Sequence, residues 1–502
     1  MRHCPDPLCP HHRAQGVPAT YRDDIVACAD CGAALSEGAG PEEAPRVEAR
    51  GPRPWRALAV TALVPMAVWA LAQVPLPGLV DSLDDRGLAP LQGGGQGLAA
   101  LGFAPIITGF ILVELFALVV PALRRRRHQP ATRRGLTLAS YATAAVLIFC
   151  QGLAMVMYLN SREIIGNGVG PGATVLASLS LGVVLLLALA WGAGRYGLVG
   201  GLSLGVATSM ALGLVSQTQA LARAVQNGEL PPVGAGVTLA GASVLVAATA
   251  YALRVPGGGD MDRVGRGRGG AAPVYRTSEG PAPQPVPWIL GPAAGVFPLS
   301  LVAAGIAFVG AFGRQATGGG SVGVLAVIAL GAAVAAVMGR VFNPRAKVLA
   351  VVTRCLGAAV DPATVAAAVD AHRAAALRTG VVFAAVACAV PALVHLAVPA
   401  APPLDAISIA VVTAVVLDAL ASWRAARAHG ALVTVRAEHR VYAVDAALAA
   451  LAAHGIPGHA RSAGHRALLQ FFGPYVPVEI QVPVAHGDEA RGILAGVLAD
   501  GA

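Results

Sequence analysis

Charge is scarce in this sequence. Only 13% of its 502 residues are Asp, Glu, Lys or Arg, against about 25% in soluble globular proteins. A soluble enzyme of this length is excluded on that ground. Aromatic residues are also few, at 5%, so the apolar mass is Ala, Val, Leu and Gly. Lysine is almost missing: Lys347 stands alone and arginine carries the rest of the positive charge. Disorder is excluded as well, because disordered chains combine low hydrophobicity with high charge. The seven cysteines do not form a disulfide framework, since four sit at one end and three lie singly. Nucleotide-binding loops and HExxH are absent, so neither a fused motor nor a zinc hydrolase is expected and the chain is read as a non-enzyme.

What is present is apolar length. Hydrophobic residues make up 56% of the chain and mean hydropathy is +0.65. Ten apolar stretches follow one another, at 57–74, 98–122, 136–158, 172–193, 198–221, 234–253, 287–312, 321–339, 379–398 and 404–422. Each is near the ~20 residues a helix needs to cross a ~30 Å hydrocarbon core. Helices satisfy their backbone groups within one segment, as lipid demands. The expected fold class is therefore an all-α polytopic membrane protein with ten transmembrane helices.

Arginine position sets the expected orientation. With the N-terminus inside, one inside loop reads RRRRHQPATRR (124–134) with six arginines. Another, 254–276, holds Arg254, Arg263, Arg266, Arg268 and Arg276, and a third, 340–378, holds Arg340, Arg345, Lys347, Arg354, Arg373 and Arg378. Outside loops carry one arginine each (Arg86, Arg162, Arg223, Arg314) or none. Both termini are expected to be cytoplasmic.

Residues 1–50 are polar and lack an apolar h-region, so they are not read as a signal peptide. Cys4 and Cys9 are followed by Cys28 and Cys31. Two close thiol pairs joined by a linker suit a structural Zn2+ site, four thiolates filling a tetrahedral shell. A 40-residue segment has little core of its own, so a metal staple is physically reasonable. The alternative is a loose tail with oxidisable thiols. The expected domains are a zinc ribbon at 1–40, a linker at 41–56, a membrane domain at 57–430 and a small α+β module at 433–500. In that last segment VTVRAE and VPVEIQVPV alternate like strands, and DAALAALAAHGI and DEARGILAGVL read as helices.

ALGFAPIITGFILVELF (100–116), through Ala100, Leu101, Gly102, Pro105, Ile107, Ile111 and Leu115, is similar to the start of the second helix of SecY, the channel subunit of the bacterial protein translocase. VPLPGLVDS (74–82), the glycines 93–95, GLVGGLSL (197–204), AGVFP (294–298), Phe342-Asn343-Pro344 and ISIAVVTAVVLDAL (407–420, with Asp418) follow in the family's order. The resemblance covers about 55–430. It implies two five-helix halves in inverted topology with a polypeptide path between them, closed by apolar side chains. It places Ile107, Ile111 and Ser300 at that constriction and a plug at 80–98. Ordinary helix packing is the other reading of Ile107 and Ile111, and a periplasmic loop the other reading of 80–98. The resemblance also implies a bacterial cytoplasmic (inner) membrane, lipid contact, SecE- and SecG-like subunits, SecA or the ribosome as driving partner, and unfolded polypeptide as substrate. Nucleic acid is not among the expected partners.

The chain departs from the family at Val360-Asp361-Pro362, where an arginine precedes the proline in SecY. Charge reversal at a charged interface lowers affinity and specificity. The partner loops are thus Arg254, Arg263, Arg266, Arg268, Arg276, Arg345 and Asp361, with motor or ribosome engagement open. A divergent, non-translocating membrane sensor or scaffold with the SecY fold is the alternative; a small-molecule transporter is a weaker third. Glu114 is expected near the cytoplasmic interface beside the arginines at 124–127. The tail at 433–500 resembles a small bacterial domain described as signal-transducing, through His454-Gly455-Ile456-Pro457 and PVEIQVP (477–483). It is read as a regulatory or docking module, or as a folded tail without a ligand. Its His454, His459, His465 and His486 are expected at the surface rather than in a metal site.

Overall fold

A computed structural model describes residues 54–77, 97–254, 321–356 and 362–498 with short breaks, together with a few residues of the first forty. Helices dominate. They are α1 Pro54–Gln73, α2 Ala104–Val119, α3 Pro121–Arg126, α4 Pro130–Ser161, α5 Val169–Tyr196, α6 Gly201–Gln226, α7 Pro232–Arg254, α8 Ser321–Phe342, α9 Arg345–Leu356, α10 Pro362–Ala397 and α11 Ala406–His429. Nine of the ten apolar stretches fall on these helices; the stretch 287–312 lies outside the described residues.

Among the described residues, six helical segments are long and apolar enough to cross a membrane: Pro54–Gln73, Thr132–Ser161, Val169–Tyr196, Pro232–Leu253, Leu377–Ala397 and Ala406–His429. Their outer faces carry large apolar side chains in the open, among them Trp69, Phe149, Val184, Trp191 and Leu393. Water does not tolerate so wide an exposed apolar surface; lipid does. The chain is a multi-pass membrane protein. Of the other described helices, α2 has 16 residues and α6 falls short on composition, carrying Ser, Thr, Gln and Arg along its second half.

Polar residues in the helices are mostly satisfied locally. Thr61, Ser140, Thr208, Thr238 and Thr249 each donate to the carbonyl four residues back, which removes a stranded hydroxyl from an apolar setting. Small residues let helices approach. At Gly109 an added Cβ would lie 2.9 Å from the backbone nitrogen of Ala144, so α2 and α4 approach backbone to backbone there. Helix α11 starts at Asp405, whose Oδ1 accepts the amides of Ile407 (3.2 Å) and Ser408 (3.1 Å), a side-chain N-cap. It stops at Gly430, at φ 75°, the left-handed conformation that glycine adopts without penalty.

After α11 come β4 Leu432–Glu438, α12 Val441–Ala453, β5 His459–Arg461, α13 Ala463–Leu468, β6 Val478–Pro483 and α14 Gly487–Val497. The strands form an antiparallel sheet in the order β4-β6-β5. This segment is not a free appendage. Val441, Ala467, Leu468 and Val476 belong to the same buried apolar cluster as Phe103, Phe110, Val206 and Ile409 of the helices. A second cluster joins Val348, Val351 and Val352 of α9 and Val365 and Val369 of α10 to Tyr442, Ala446, Leu451, Ile480 and Leu494. Near the N-terminus, Arg2–His3, Thr20–Tyr21 and Ser36–Glu37 are the three strands β1, β2 and β3 of a small antiparallel sheet in the order β2-β1-β3.

Candidate functional site

Helix α2 carries the residues assigned to the constriction. Gly102, at φ 53°, turns the chain into the helix, and Pro105 occupies its first turn, where a missing N–H costs nothing. Ile107 and Ile111 are four residues apart, hence on one face, and both are half-buried. Ile107 packs against the main apolar cluster; Ile111 packs with Leu115, Leu118 and Val341. Glu114, one turn on, is fully buried among its protein neighbours. The third residue of the set, Ser300, lies outside the described residues, as does most of the plug stretch 80–98.

The partner loops divide in the same way. Arg263, Arg266, Arg268, Arg276 and Asp361 lie outside the described residues, and Arg254 is the last residue of α7. Arg345 opens α9. Its Nε and Nη2 donate to Oδ1 and Oδ2 of Asp370 on α10, both at 2.7 Å. The guanidinium beside Asp370 holds that carboxyl below the usual range, first through the hydrogen bond. Of the proposed zinc ligands, Cys28 is buried; Cys4, Cys9 and Cys31 lie outside the described residues.

The most elaborate polar site among the described residues was not expected from the sequence. It lies at the corner between α5 and α6, within the GLVGGLSL motif. Helix α5 ends at Tyr196 and α6 begins at Gly201, so several carbonyls and amides have no helical partner. Arg461 of β5 supplies the donors. Its Nη2 donates to the carbonyls of Gly194 (2.8 Å), Gly197 (3.0 Å) and Val199 (2.7 Å), and its Nε to Leu198 (3.3 Å). Its Nη1 donates to Glu479 Oε2 on β6 at 2.8 Å. The amides are taken up too: Leu198 N–H donates to Thr61 Oγ1 on α1 (2.8 Å), and Gly200 N–H to Ser462 Oγ (2.7 Å). Ser462 itself sits at φ 65° and is buried.

A buried guanidinium with five acceptors is well satisfied. Stripping such a charge of its partners costs on the order of 3–5 kcal/mol. The corner is also sterically closed, because a Cβ at Gly201 would overlap the carbonyl of Ala190 on α5.

A second junction lies on α11. Asp418 accepts the backbone amides of Gly464 (2.9 Å) and His465 (2.8 Å), the first residues of α13. Ser422 Oγ lies 2.9 Å from His459 Nε2, within hydrogen-bond distance. This corrects the surface placement of two histidines. His465 is fully buried and His459 half-buried, because β5 and α13 lie against α11 rather than facing solvent. Burial, and then the neighbouring Arg466, pushes the His465 imidazole down to about 3. Burial, and then Arg461, pushes His459 down to about 4. His454 and His486 are exposed or partly exposed, as expected.

No sequence signal marked Arg461 or Ser462. Their partners at the corner are more than 260 residues away, and one arginine among many carries no pattern. Asp418 was singled out through the tenth-helix motif, without its role as a cap.

No family model matches the chain, and no curated protein matches it. Among solved structures it is similar to a SecY protein studied for how its plug domain stabilises the closed translocation channel. The identity is 12%, with 74% of this chain and 92% of that one covered and a TM-score of 0.45. A protein-conducting channel is similar at 11% identity over 74% of this chain and 92% of that one, TM-score 0.41. Sec61 in the canine ribosome–channel complex from the endoplasmic reticulum is similar at 14% identity, over 41% of this chain and 49% of that one, TM-score 0.29.

Proposed function

We propose that the chain is a SecY-like protein-conducting channel that passes or inserts polypeptides across a bacterial cytoplasmic membrane, with both termini cytoplasmic. The observation that carries this reading is where the family motifs fall. The 100–116 stretch opens α2, GLVGGLSL forms the α5–α6 corner, Phe342-Asn343-Pro344 separates α8 from α9, and 407–420 lies in α11. The first three mark a helix start or a junction, the positions that set how helices enter a bundle. Ile107 and Ile111 would belong to the apolar seal, and such a seal blocks ions by dewetting. The chain performs no covalent chemistry in this reading. A driving partner supplies the energy, and SecE- and SecG-like subunits and SecA or a ribosome are the candidates by resemblance. Zn2+ held by Cys4, Cys9, Cys28 and Cys31 belongs to the same proposal, as a staple for the first forty residues.

The test is a photo-crosslinking amino acid at Ile107 in membranes holding a stalled secretory polypeptide. Crosslinks at Ile107 and Ile111, but not at the exposed Leu112, support the channel. Equal background at all three sinks it.

The second reading, a non-translocating sensor or scaffold, is favoured by one observation. The apolar face of α9, in the loop that would meet a partner, is already covered by α12 and α14 of the same chain. A chain that co-purifies with no translocase component would favour this reading.

A further inference from the structure

Two groups of helices meet along α6 and α11. Helices α1, α2, α4, α5 and α6 make one group; α7, α8, α10 and α11 make the other. The segment after α11 grips both at the same end of the bundle. On the first group it holds the α5–α6 corner, through Arg461 on four carbonyls and Ser462 on the Gly200 amide. On the second it rests against Asp418 and Ser422 of α11, and its α12 and α14 cover α9 and the start of α10. The two grips share the short stretch His459–His465. Neither group can shift at this end without breaking one of them.

We infer that the C-terminal α+β segment is an intramolecular clamp across the seam between the two helix groups, and that Arg461 is its catch. The grip is polar on one side and mostly apolar on the other, so the two sides do not part with equal ease. Water can enter beside the half-buried Gly194, Gly197 and Gly200 and replace the hydrogen bonds of the corner one by one. Peeling α12 and α14 from α9 would expose a whole apolar cluster at once. The clamp therefore releases at Arg461 first and stays attached to the second group. This rests on the channel reading for its purpose, since a path between two halves opens only when they move apart, but the restraint itself is a matter of geometry.

The experiment uses the full chain in nanodiscs. Spin labels are introduced as unnatural amino acids at Tyr196, exposed at the end of α5, and Ala350, exposed on α9. Electron–electron distances are compared in the wild type, Arg461→Ala, Arg461→Lys and the milder Ser462→Ala. Hydrogen exchange reports docking in parallel. The wild type should give one narrow distance. Arg461→Ala should widen the distribution about twofold and lower protection at residues 194–200 about tenfold, while α12 stays protected. Arg461→Lys, which keeps the charge but loses the planar fork, should lie between. Should Arg461→Ala fail to fold, Ser462→Ala must show the same trend more weakly. An unchanged narrow distance, despite lost protection at 194–200, overturns the clamp. So does loss of protection in α12 before the corner. A widened distance with no polypeptide crosslink at Ile107 leaves the clamp standing and removes the channel.

Discussion

The backbone N–H of His465 donates to Oδ2 of Asp418 at 2.8 Å, joining the first turn of α13 to the middle of α11. A second amide, Gly464 N–H, reaches Oδ1 of the same carboxylate at 2.9 Å. One side chain thus satisfies two of the amides that a helix start leaves open. Asp418→Ala should destabilise the protein by about 1–3 kcal/mol, the cost of stranding buried donors. Asp418→Asn, which keeps an acceptor oxygen, should cost less. Thermal unfolding in detergent, followed by helix content, reads both. Equal stability of Asp418→Ala and the wild type would show that the contact is energetically idle.

Acid should loosen the same junction. His459 and His465 are held neutral, near 4 and 3, while an unfolded histidine titrates near 6.5. Between those values the unfolded chain binds protons that the folded chain refuses, so stability is complete above about pH 6.5 and declines as pH falls. The decline is at most about 1.4 kcal/mol per pH unit for each histidine. Two like charges, Arg461 and Arg466, face the rings, and Asp418 lies at the His465 amide. Hydrogen exchange of residues 459–468 at pH 7.5 and pH 5 should show loss of protection at the lower pH. His465→Gln should flatten that dependence.

Gly201 should not tolerate a methyl group. Its Cβ would overlap the Ala190 carbonyl, which is backbone and cannot swing aside. Overpacking of this kind costs about 1–3 kcal/mol or more. Gly201→Ala should lower the unfolding temperature, while Gly213→Ala on the same helix, where a Cβ meets nothing within 4 Å, should raise it slightly through helix propensity.

Metal analysis tests the N-terminal thiols. Protein purified under reducing conditions should hold about one zinc per chain. Cys28→Ser should lower that, and chelation should expose residues 1–40 to protease while the helices stay protected. Metal-free wild-type protein would remove the ribbon.

The helices were legible because lipid imposes one simple rule on sequence: about 20 apolar residues in a row. Val169–Tyr196 and Ala406–His429 could be drawn from composition alone. The rule weakens where a helix is short or carries polar residues toward one end. α6 holds Gln217, Gln219 and Arg223 in its second half, the last two exposed, and α2 has only 16 residues. Strands β4 and β6 were readable from the alternation of VTVRAE and VEIQVP, whose inward positions, such as Val478 and Ile480, are buried. The α5–α6 corner was legible as a motif but not as a receptor. A guanidinium that binds backbone carbonyls needs no particular side chain opposite it, so the contact leaves no trace in sequence. The histidines failed for the same reason: nothing in GHARSAGHRA shows which side meets a neighbouring helix.

The Arg461 grip also bears on how the bundle sits in its bilayer. A helix that ends in water or headgroups can tilt, or sink a few ångströms, when the hydrocarbon thickness changes. Helix α5 cannot do so alone, because the Gly194 carbonyl in its last turn and the Val199 carbonyl just beyond it are bonded to a folded segment that is itself fastened to α9 and α11. At this end the depth of α5 is set by protein. A change in lipid thickness must be absorbed at the far end of the helix or carried through the whole assembly as one body.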